Sequence, residues 1–103
     1  MGLALPDAYL AYLRSGGRTE GGLRIDPGWF QLWAEGEIER MNLGYHVAKY
    51  VPGYLGFGSN GGGELLAFDS TGRIVMIPFI PMDPEHAVVV AQSWQEFEEA
   101  MEE

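Results

Sequence analysis

Apolar residues recur at helical spacing in three stretches of the chain. The first helix is predicted over residues 5–14 and ends before two glycines; its apolar stripe is Tyr9, Leu10 and Leu13. The second is predicted over residues 35–51, with its stripe at Ile38, Met41, Tyr45 and Ala48. The third follows Ser93, which forms a capping box with Glu96, and its stripe is Trp94, Phe97 and Met101.

Five further segments have the alternation, or the β-branched and aromatic content, of strands. They are residues 22–25, 29–33, 54–57, 64–68 and 73–77. Strands in mid-chain with helices before, between and after them predict an α+β fold. We expect a single domain over residues 1–103. Its twisted antiparallel sheet should have about four to six strands, with helices at the N-terminus, in mid-chain and at the C-terminus.

The tryptophans supply the largest apolar side chains, and their positions have different interpretations. Trp94 is predicted to lie in the core, because it opens the stripe of the last helix. Trp29 and Trp33 stand four residues apart in a predicted strand and therefore on the same face. Either both are buried, or one of them is an exposed anchor of the kind that is frequent at binding hot spots.

The chain is strongly acidic, with 15 acidic and 6 basic residues and a formal net charge of -9. Nucleic acid is not an expected partner, because phosphate binding requires clustered lysine and arginine. A basic protein is a more suitable partner for an acidic chain, because opposite charges attract. Residues 64–103 hold most of the excess, with nine acidic residues against one basic residue, and Glu98 to Glu103 belong to the solvated face of the last helix.

Several classes of function are excluded by what the sequence omits. The absence of cysteine excludes disulfides, thiolate metal sites and thiol catalysis. No serine lies in a Gly-x-Ser-x-Gly motif, and Glu64 and Asp69 stand at opposite ends of one predicted strand, roughly 16 Å apart, too far for a glycosidase pair. The chain shows neither a signal-peptide pattern nor an apolar run of about 20 residues. We therefore expect a non-catalytic, soluble, cytoplasmic protein with no membrane partner.

Two short motifs could bind a ligand. Residues 56–61 match G-x-G-x-x-G, which binds a dinucleotide only where a strand precedes it and a helix follows. A predicted strand follows here, so a hairpin turn is favoured, with small-ligand binding at Gly56–Gly63 as the alternative. Asp83, Glu85 and His86 could ligate a metal, but a proline-rich loop with one imidazole is more typical of a solvated segment. We expect neither a metal nor another cofactor.

Four motifs occur in an order that is typical of one known superfamily. Residues 5–9 (Leu-Pro-Asp-Ala-Tyr) lead into a helix that ends at Gly-Gly, and a tryptophan-bearing strand and a helix with Glu37 and Asn42 follow. Residues 54–64 carry a glycine-rich signature, and residues 91–97 (Ala-Gln-Ser-Trp-Gln-Glu-Phe) open the final helix. This order resembles the SUKH superfamily, which includes the yeast Smi/Knr cell-wall synthesis regulator and many bacterial immunity proteins.

The resemblance implies a Smi/Knr-like domain over the whole chain. Its motif residues here are Leu5, Pro6, Tyr9, Gly58, Gly63, Ser93 and Phe97. The superfamily often has a further helix before the Leu-Pro, where this chain has four residues, and Glu64 stands where aspartate is usual. We expect a sheet edge left uncovered by that helix to be completed by a homodimer or by a partner.

The resemblance also implies protein binding rather than catalysis. The leading hypothesis is an immunity-type protein that binds and neutralises a toxin, with an acidic surface suited to a basic toxin. The alternatives are a regulatory or scaffold homodimer without a toxin partner, and small-ligand binding at the glycine loop. The expected contact set has one aromatic anchor and five carboxylates: Trp33, Glu35, Glu64, Asp69, Asp83 and Glu85.

Overall fold

The strands of the sheet are antiparallel and follow one another in chain order. A computed structural model describes residues 4–102. Within them the six strands are β1 (Glu20–Gly22), β2 (Trp29–Leu32), β3 (Leu55–Ser59), β4 (Glu64–Phe68), β5 (Ile74–Pro78) and β6 (Val88–Ala91). The helices are α1 (Asp7–Arg14), α2 (Ile38–Gly44), α3 (Val47–Tyr50) and α4 (Trp94–Glu99), and 3₁₀ turns span Glu35–Glu37 and Pro84–His86. The predicted α+β class and helix positions are confirmed.

Strand β4 is the centre of the fold and is buried on both faces. Side chains alternate along a strand, so Leu65 and Phe68 point to opposite faces. Phe68 packs edge-on against Tyr9 of α1, with ring centroids 5.3 Å apart. Leu65 lies towards Gly56, where α2 packs on β3. Thus α1 and α4 pack on one side of the central strands, and α2 and α3 pack against β3 on the other side.

An aromatic cluster holds α1 and α4 on the sheet. Tyr9 contacts Phe57 at 5.1 Å and Trp94 at 4.7 Å between ring centroids, and Phe97 contacts Phe30 at 6.1 Å. All of these side chains are buried, and such offset or edge-on ring pairs add about 0.5–1.5 kcal/mol each beyond burial. The prediction that Trp94 is a core residue is confirmed.

The predicted capping box sets the start of α4. Ser93 Oγ accepts a hydrogen bond from the Glu96 backbone N–H at 3.1 Å, and Glu96 Oε1 accepts one from the backbone N–H of Gln92 at 2.8 Å. The exposed carboxylates Glu98 and Glu99 lie on the solvent side of this helix, as predicted, while Glu103 lies outside the described residues.

The mid-chain helix is broken, so its predicted continuity over residues 35–51 is wrong. A 3₁₀ turn precedes α2, and His46 takes a left-handed conformation (φ 57°) between α2 and α3. This break changes the phase of the apolar stripe. Tyr45 and Ala48 are exposed, whereas Val47 and Val51 are buried. Gly44, which is unfavourable within a helix, stands where α2 ends.

The two edges of the sheet differ in how they are covered. The first strand lies two residues earlier than predicted, and Leu23 instead forms a bridge with Met101. The backbone N–H of Glu102 donates to the carbonyl of Gly22 at 2.9 Å, so the residues after α4 cover the β1 edge. At the other edge, Val88 and Val89 of β6 are 47% and 41% exposed.

Tyr9→Phe should keep or raise stability, because among residues 4–102 the Tyr9 hydroxyl is buried with no hydrogen-bond partner. Removing a buried, unpaired polar group should gain up to about 1 kcal/mol in urea unfolding at neutral pH. Tyr12→Phe is the matched control. It should lose about 1 kcal/mol, since the Tyr12 hydroxyl donates to the carbonyl of Arg18 at 2.6 Å. A larger loss for Tyr9→Phe than for Tyr12→Phe would contradict this assignment.

Tyr9→Phe should also change how the free energy of unfolding responds to alkaline pH. Burial raises the pKa of Tyr9, with a further contribution from Tyr12. The unfolded chain then releases the Tyr9 proton at a lower pH than the folded chain, so stability falls as pH rises above about 10. Tyr9→Phe should make this alkaline loss smaller in urea titrations.

Candidate protein-binding surface

The expected contact residues do not form one patch, because the sheet separates them. Glu64 opens β4 opposite Pro78, the end of β5, and the loop carrying Asp83 and Glu85 leaves the sheet at that end. Asp69 follows the opposite end of β4. Trp33 and Glu35 lie between β2 and α2. Three of the carboxylates therefore share one end of the sheet: Glu64, Asp83 and Glu85.

Trp29 and Trp33 lie in different environments, so the interpretation that buries both of them is wrong. Strand β2 ends at Leu32, one residue before Trp33. Trp33 is 9% exposed, whereas Trp29 is 42% exposed. The exposed ring of the pair is thus Trp29, while Trp33 packs inside the fold.

Trp33, Tyr45 and Phe79 form a stack of three aromatic rings that sequence reasoning missed. Tyr45 lies nearly parallel to Trp33, with ring centroids 6.0 Å apart, and to Phe79, at 4.6 Å. Tyr45 remains 41% exposed, and Ile80, next to Phe79, is 92% exposed. The signal for this stack is weak, because its members come from three separate segments and the helical pattern placed Tyr45 in the core.

The glycine loop connects β3 to β4 as a hairpin, as the sequence favours. Asn60 Oδ1 accepts hydrogen bonds from the backbone N–H groups of Gly62 and Glu64, at 2.9 and 3.1 Å. The Asn60 amide also donates to Glu64 Oε1 at 3.3 Å. Because a strand rather than a helix follows the loop, the helix N-terminus that binds pyrophosphate in dinucleotide sites is missing here.

The loop of Asp83 and Glu85 is ordered by its own backbone. Asp83 Oδ1 accepts a hydrogen bond from the Glu85 N–H at 2.8 Å and so caps the 3₁₀ turn. Glu85 is exposed. Within residues 4–102, no group of at least three His, Cys, Asp or Glu side chains could hold a metal ion.

Asp69 organises the β4–β5 hairpin. Its Oδ1 accepts hydrogen bonds from the N–H and hydroxyl of Thr71 and from the N–H of Arg73, and its Oδ2 accepts one from Arg73 Nε at 2.8 Å. Burial raises the pKa of Asp69, but the hydrogen bonds from Thr71 and Arg73 outweigh it and hold the pKa below its ordinary value. This carboxylate is therefore already engaged within the chain.

Asp69→Asn should lower the free energy of unfolding by about 1 kcal/mol at neutral pH, since the amide cannot accept the Arg73 Nε–H at the same atom. A depressed folded pKa means that the carboxylate stabilises the fold above its ordinary pKa of about 3.9 and ceases to do so as pH falls further. The difference from the parent chain should thus shrink in acid, measured by urea unfolding at two pH values. Glu98→Gln, an exposed change, is the control; a pH-independent loss would count against this role.

Glu35 is held by an exposed ion pair. Arg14 donates to both carboxylate oxygens, from Nε at 3.1 Å and from Nη2 at 2.6 Å. The hydrogen bond from Arg14 holds the pKa of Glu35 below its ordinary value. The pair connects the end of α1 to the start of the 3₁₀ turn before α2.

The motif residues occupy structural positions. Leu5 packs at the edge of the core, and the Pro6 carbonyl accepts the first backbone hydrogen bonds of α1. Tyr9 and Phe97 are buried in the aromatic cluster. Gly58 lies against β2, while Gly63 is exposed in the hairpin loop.

Asn42 makes a polar contact between α2 and the sheet that sequence reasoning noted only as part of the resemblance. Its amide donates to the carbonyls of Ile38 and Gly56, at 2.7 and 2.8 Å. Its carbonyl oxygen accepts from the Gly56 N–H at 2.8 Å. The side chain thus satisfies both backbone polar groups of one residue in β3.

Comparison with protein families agrees with this architecture. A model of the SMI1 / KNR4 family (SUKH-1) matches residues 1–100. The chain belongs to this family. A search of curated proteins finds no match. Among residues 4–102, every helix is too short or too polar to span a bilayer.

Proposed function

We propose that this chain is a non-catalytic, acidic interaction module of the immunity type, which binds a basic toxin in the cytoplasm and neutralises it. The observation that carries the proposal is the unbalanced negative charge of the surface. Of the few basic side chains, Arg14, Arg40 and Arg73 already pair with carboxylates of the same chain. The chain keeps a formal net charge of -9, and a basic partner would be attracted at long range. The family includes toxin-immunity proteins, which favours the same partner class.

The proposed contact surface lies at the end of the sheet that carries Glu64, Asp83 and Glu85. Ile80, 92% exposed in the same loop, supplies apolar area beside these carboxylates. Trp33 would act indirectly, because it stacks on Tyr45, which in turn stacks on Phe79, the residue before Ile80. Glu35 and Asp69 are already paired with Arg14 and Arg73. They would contact the toxin only if its basic side chains replaced these arginines.

To test the proposal, the product of a neighbouring reading frame is expressed in cells with and without this chain, and growth is measured. We expect co-expression to restore growth, and calorimetry to show affinity that falls between about 50 mM and about 500 mM salt, because exposed charge attraction is screened. The double reversal Glu64→Lys with Glu85→Lys should weaken binding about tenfold. Glu98→Lys with Glu99→Lys changes the net charge equally and should cost less than about threefold. Equal effects of the two reversals would remove the proposed surface, and absence of any neutralised neighbour would remove the immunity function.

A regulatory or scaffold homodimer is the second candidate, and the exposed edge strand β6 favours it. Val88 and Val89 leave this edge apolar, whereas the β1 edge is covered by the residues after α4. Antiparallel pairing of two β6 strands would continue the sheet. Light scattering of the purified chain and of Val89→Lys decides the matter: a dimer that the substitution dissociates supports this candidate, and a monomer at high concentration excludes it.

A further inference from the structure

A groove of about 1030 Å³ lies between α1 and the α2–α3 segment. Its apolar lining comes from both helical segments and from the start of β3: Leu5, Leu10, Ile38, Leu43, Tyr54 and Leu55. Leu43 is 71% exposed at the lip of the groove, a high value for a leucine on a helix that packs against the sheet. The apolar floor is thus open to a partner.

Acidic side chains border this apolar floor. Asp7, Glu35 and Glu39 line the groove, and all of them are exposed. Arg14 is the basic residue among those that line it, and its guanidinium is held by Glu35. The groove therefore combines an apolar centre with a net negative rim.

We infer that this groove binds an amphipathic helical segment of a protein partner, with lysine or arginine on both sides of its apolar stripe. The apolar stripe of such a helix fits the leucine-rich floor, and its flanking cations meet the carboxylates of the rim. Two turns of helix, about 10 Å across and about 11 Å long, fill roughly 850 Å³, so the groove has room for a helical face rather than for one side chain. The inference rests on the proposed function only for the basic character of the partner.

The charge of the groove selects this occupant over others. An anionic membrane surface or a nucleic acid would be repelled by the carboxylates of the rim. A second copy of the chain would bring another net charge of -9 against the same rim. A basic amphipathic helix is the class of ligand that satisfies both the floor and the rim.

Fluorescence anisotropy with a synthetic helical peptide tests the inference. The probe has about 14 residues, with leucine at i, i+3, i+4, i+7 and i+8 and lysine elsewhere. The full chain should bind it, and should bind neither a version with glutamate for lysine nor a scrambled version without an apolar stripe. Leu43→Ser should weaken binding about tenfold, because it removes an exposed leucine from the contact. Glu39→Lys should weaken it about fivefold.

Matched substitutions outside the groove show whether the peptide binds in the groove or nonspecifically to the surface. Trp29→Ser removes an exposed apolar side chain that does not line the groove, and Glu98→Lys makes the same change of charge as Glu39→Lys. Both should leave peptide binding within about twofold. All four changes are at exposed positions, and thermal unfolding will verify that each variant folds.

Three results of the anisotropy experiment would overturn the inference: no peptide binding, equal binding of the scrambled peptide, or equal losses for Glu39→Lys and Glu98→Lys. Loss of a dimer in Leu43→Ser would instead assign the groove to a second copy. Binding of the neighbouring gene product distinguishes failure of this inference from failure of the proposed function. If it binds the parent chain and Leu43→Ser equally well, the groove inference fails while the proposed function stands. If the peptide binds in the groove but no toxin is neutralised, the groove inference stands while the proposed function fails.

Discussion

Gly58→Ala should lower the free energy of unfolding by about 3 kcal/mol or more, or prevent folding. A Cβ at this position would lie 2.4 Å from the carbonyl oxygen of Gln31 and 3.1 Å from Cα of Leu32. Both of these atoms belong to the backbone of the neighbouring strand, so no side chain can rotate to relieve the clash. Strand β2 would have to move away from β3, and with it Phe30 and its contact with α4. Overpacking that moves backbone costs more than most single substitutions.

Gly63→Ala is the matched control for this prediction. Gly63 belongs to the same glycine-rich motif, but a Cβ there meets nothing within 4 Å and its φ is not positive. Its unfolding free energy should stay within about 0.5 kcal/mol of the parent value. Urea unfolding followed by tryptophan fluorescence compares the two variants. Equal effects at Gly58 and Gly63 would show that the close approach of β2 does not explain the glycine.

The sequence was most informative where local chemistry decides structure. The capping box at Ser93 correctly predicted the start of α4, and the alternation and turn residues around Asp69 predicted the β4–β5 hairpin. Strand β4 was predicted with its observed bounds. These features depend on contacts between residues that are close in the chain, which is why a pattern can reveal them.

Features that depend on tertiary contacts were not predictable from the pattern. The left-handed His46 breaks a stripe that is continuous in the sequence, and the residues buried after the break are Val47 and Val51. Trp33 follows the last residue of β2, and it is covered by the stack with Tyr45, a residue that is distant in the chain. The carboxylates were read as one contact set from charge alone, whereas the sheet places Asp69 at the end opposite Glu64. Charge composition indicates the kind of partner; the strand register decides which charges can meet it.

Asn42→Ala should lower the free energy of unfolding by about 2–3 kcal/mol. Asn42 makes three hydrogen bonds to backbone, and two of them are to the N–H and carbonyl of Gly56, a buried residue. Without the side chain, both groups of Gly56 lose their partner next to the β-bulge between Gly56 and Gly58. An unpaired buried backbone group costs about 1–3 kcal/mol, more than the net gain from an ordinary hydrogen bond. Alanine itself favours helix, so propensity would act in the opposite direction.

Two further variants show whether the amide acts as both donor and acceptor. Asn42→Asp keeps an acceptor for the Gly56 N–H but faces the carbonyls of Ile38 and Gly56 with a carboxylate, so it should be at least as unstable as Asn42→Ala. Leu43→Ala, the exposed neighbour on α2, should change stability by less than about 0.5 kcal/mol. Hydrogen exchange provides the local readout: the Gly56 amide should exchange faster in Asn42→Ala. If urea unfolding of Asn42→Ala matches that of Leu43→Ala and the Gly56 amide stays protected, the side chain is not what joins α2 to the sheet. The connection would then rest on the apolar contacts of Ile38, Val47 and Val51, which are the buried residues of this segment.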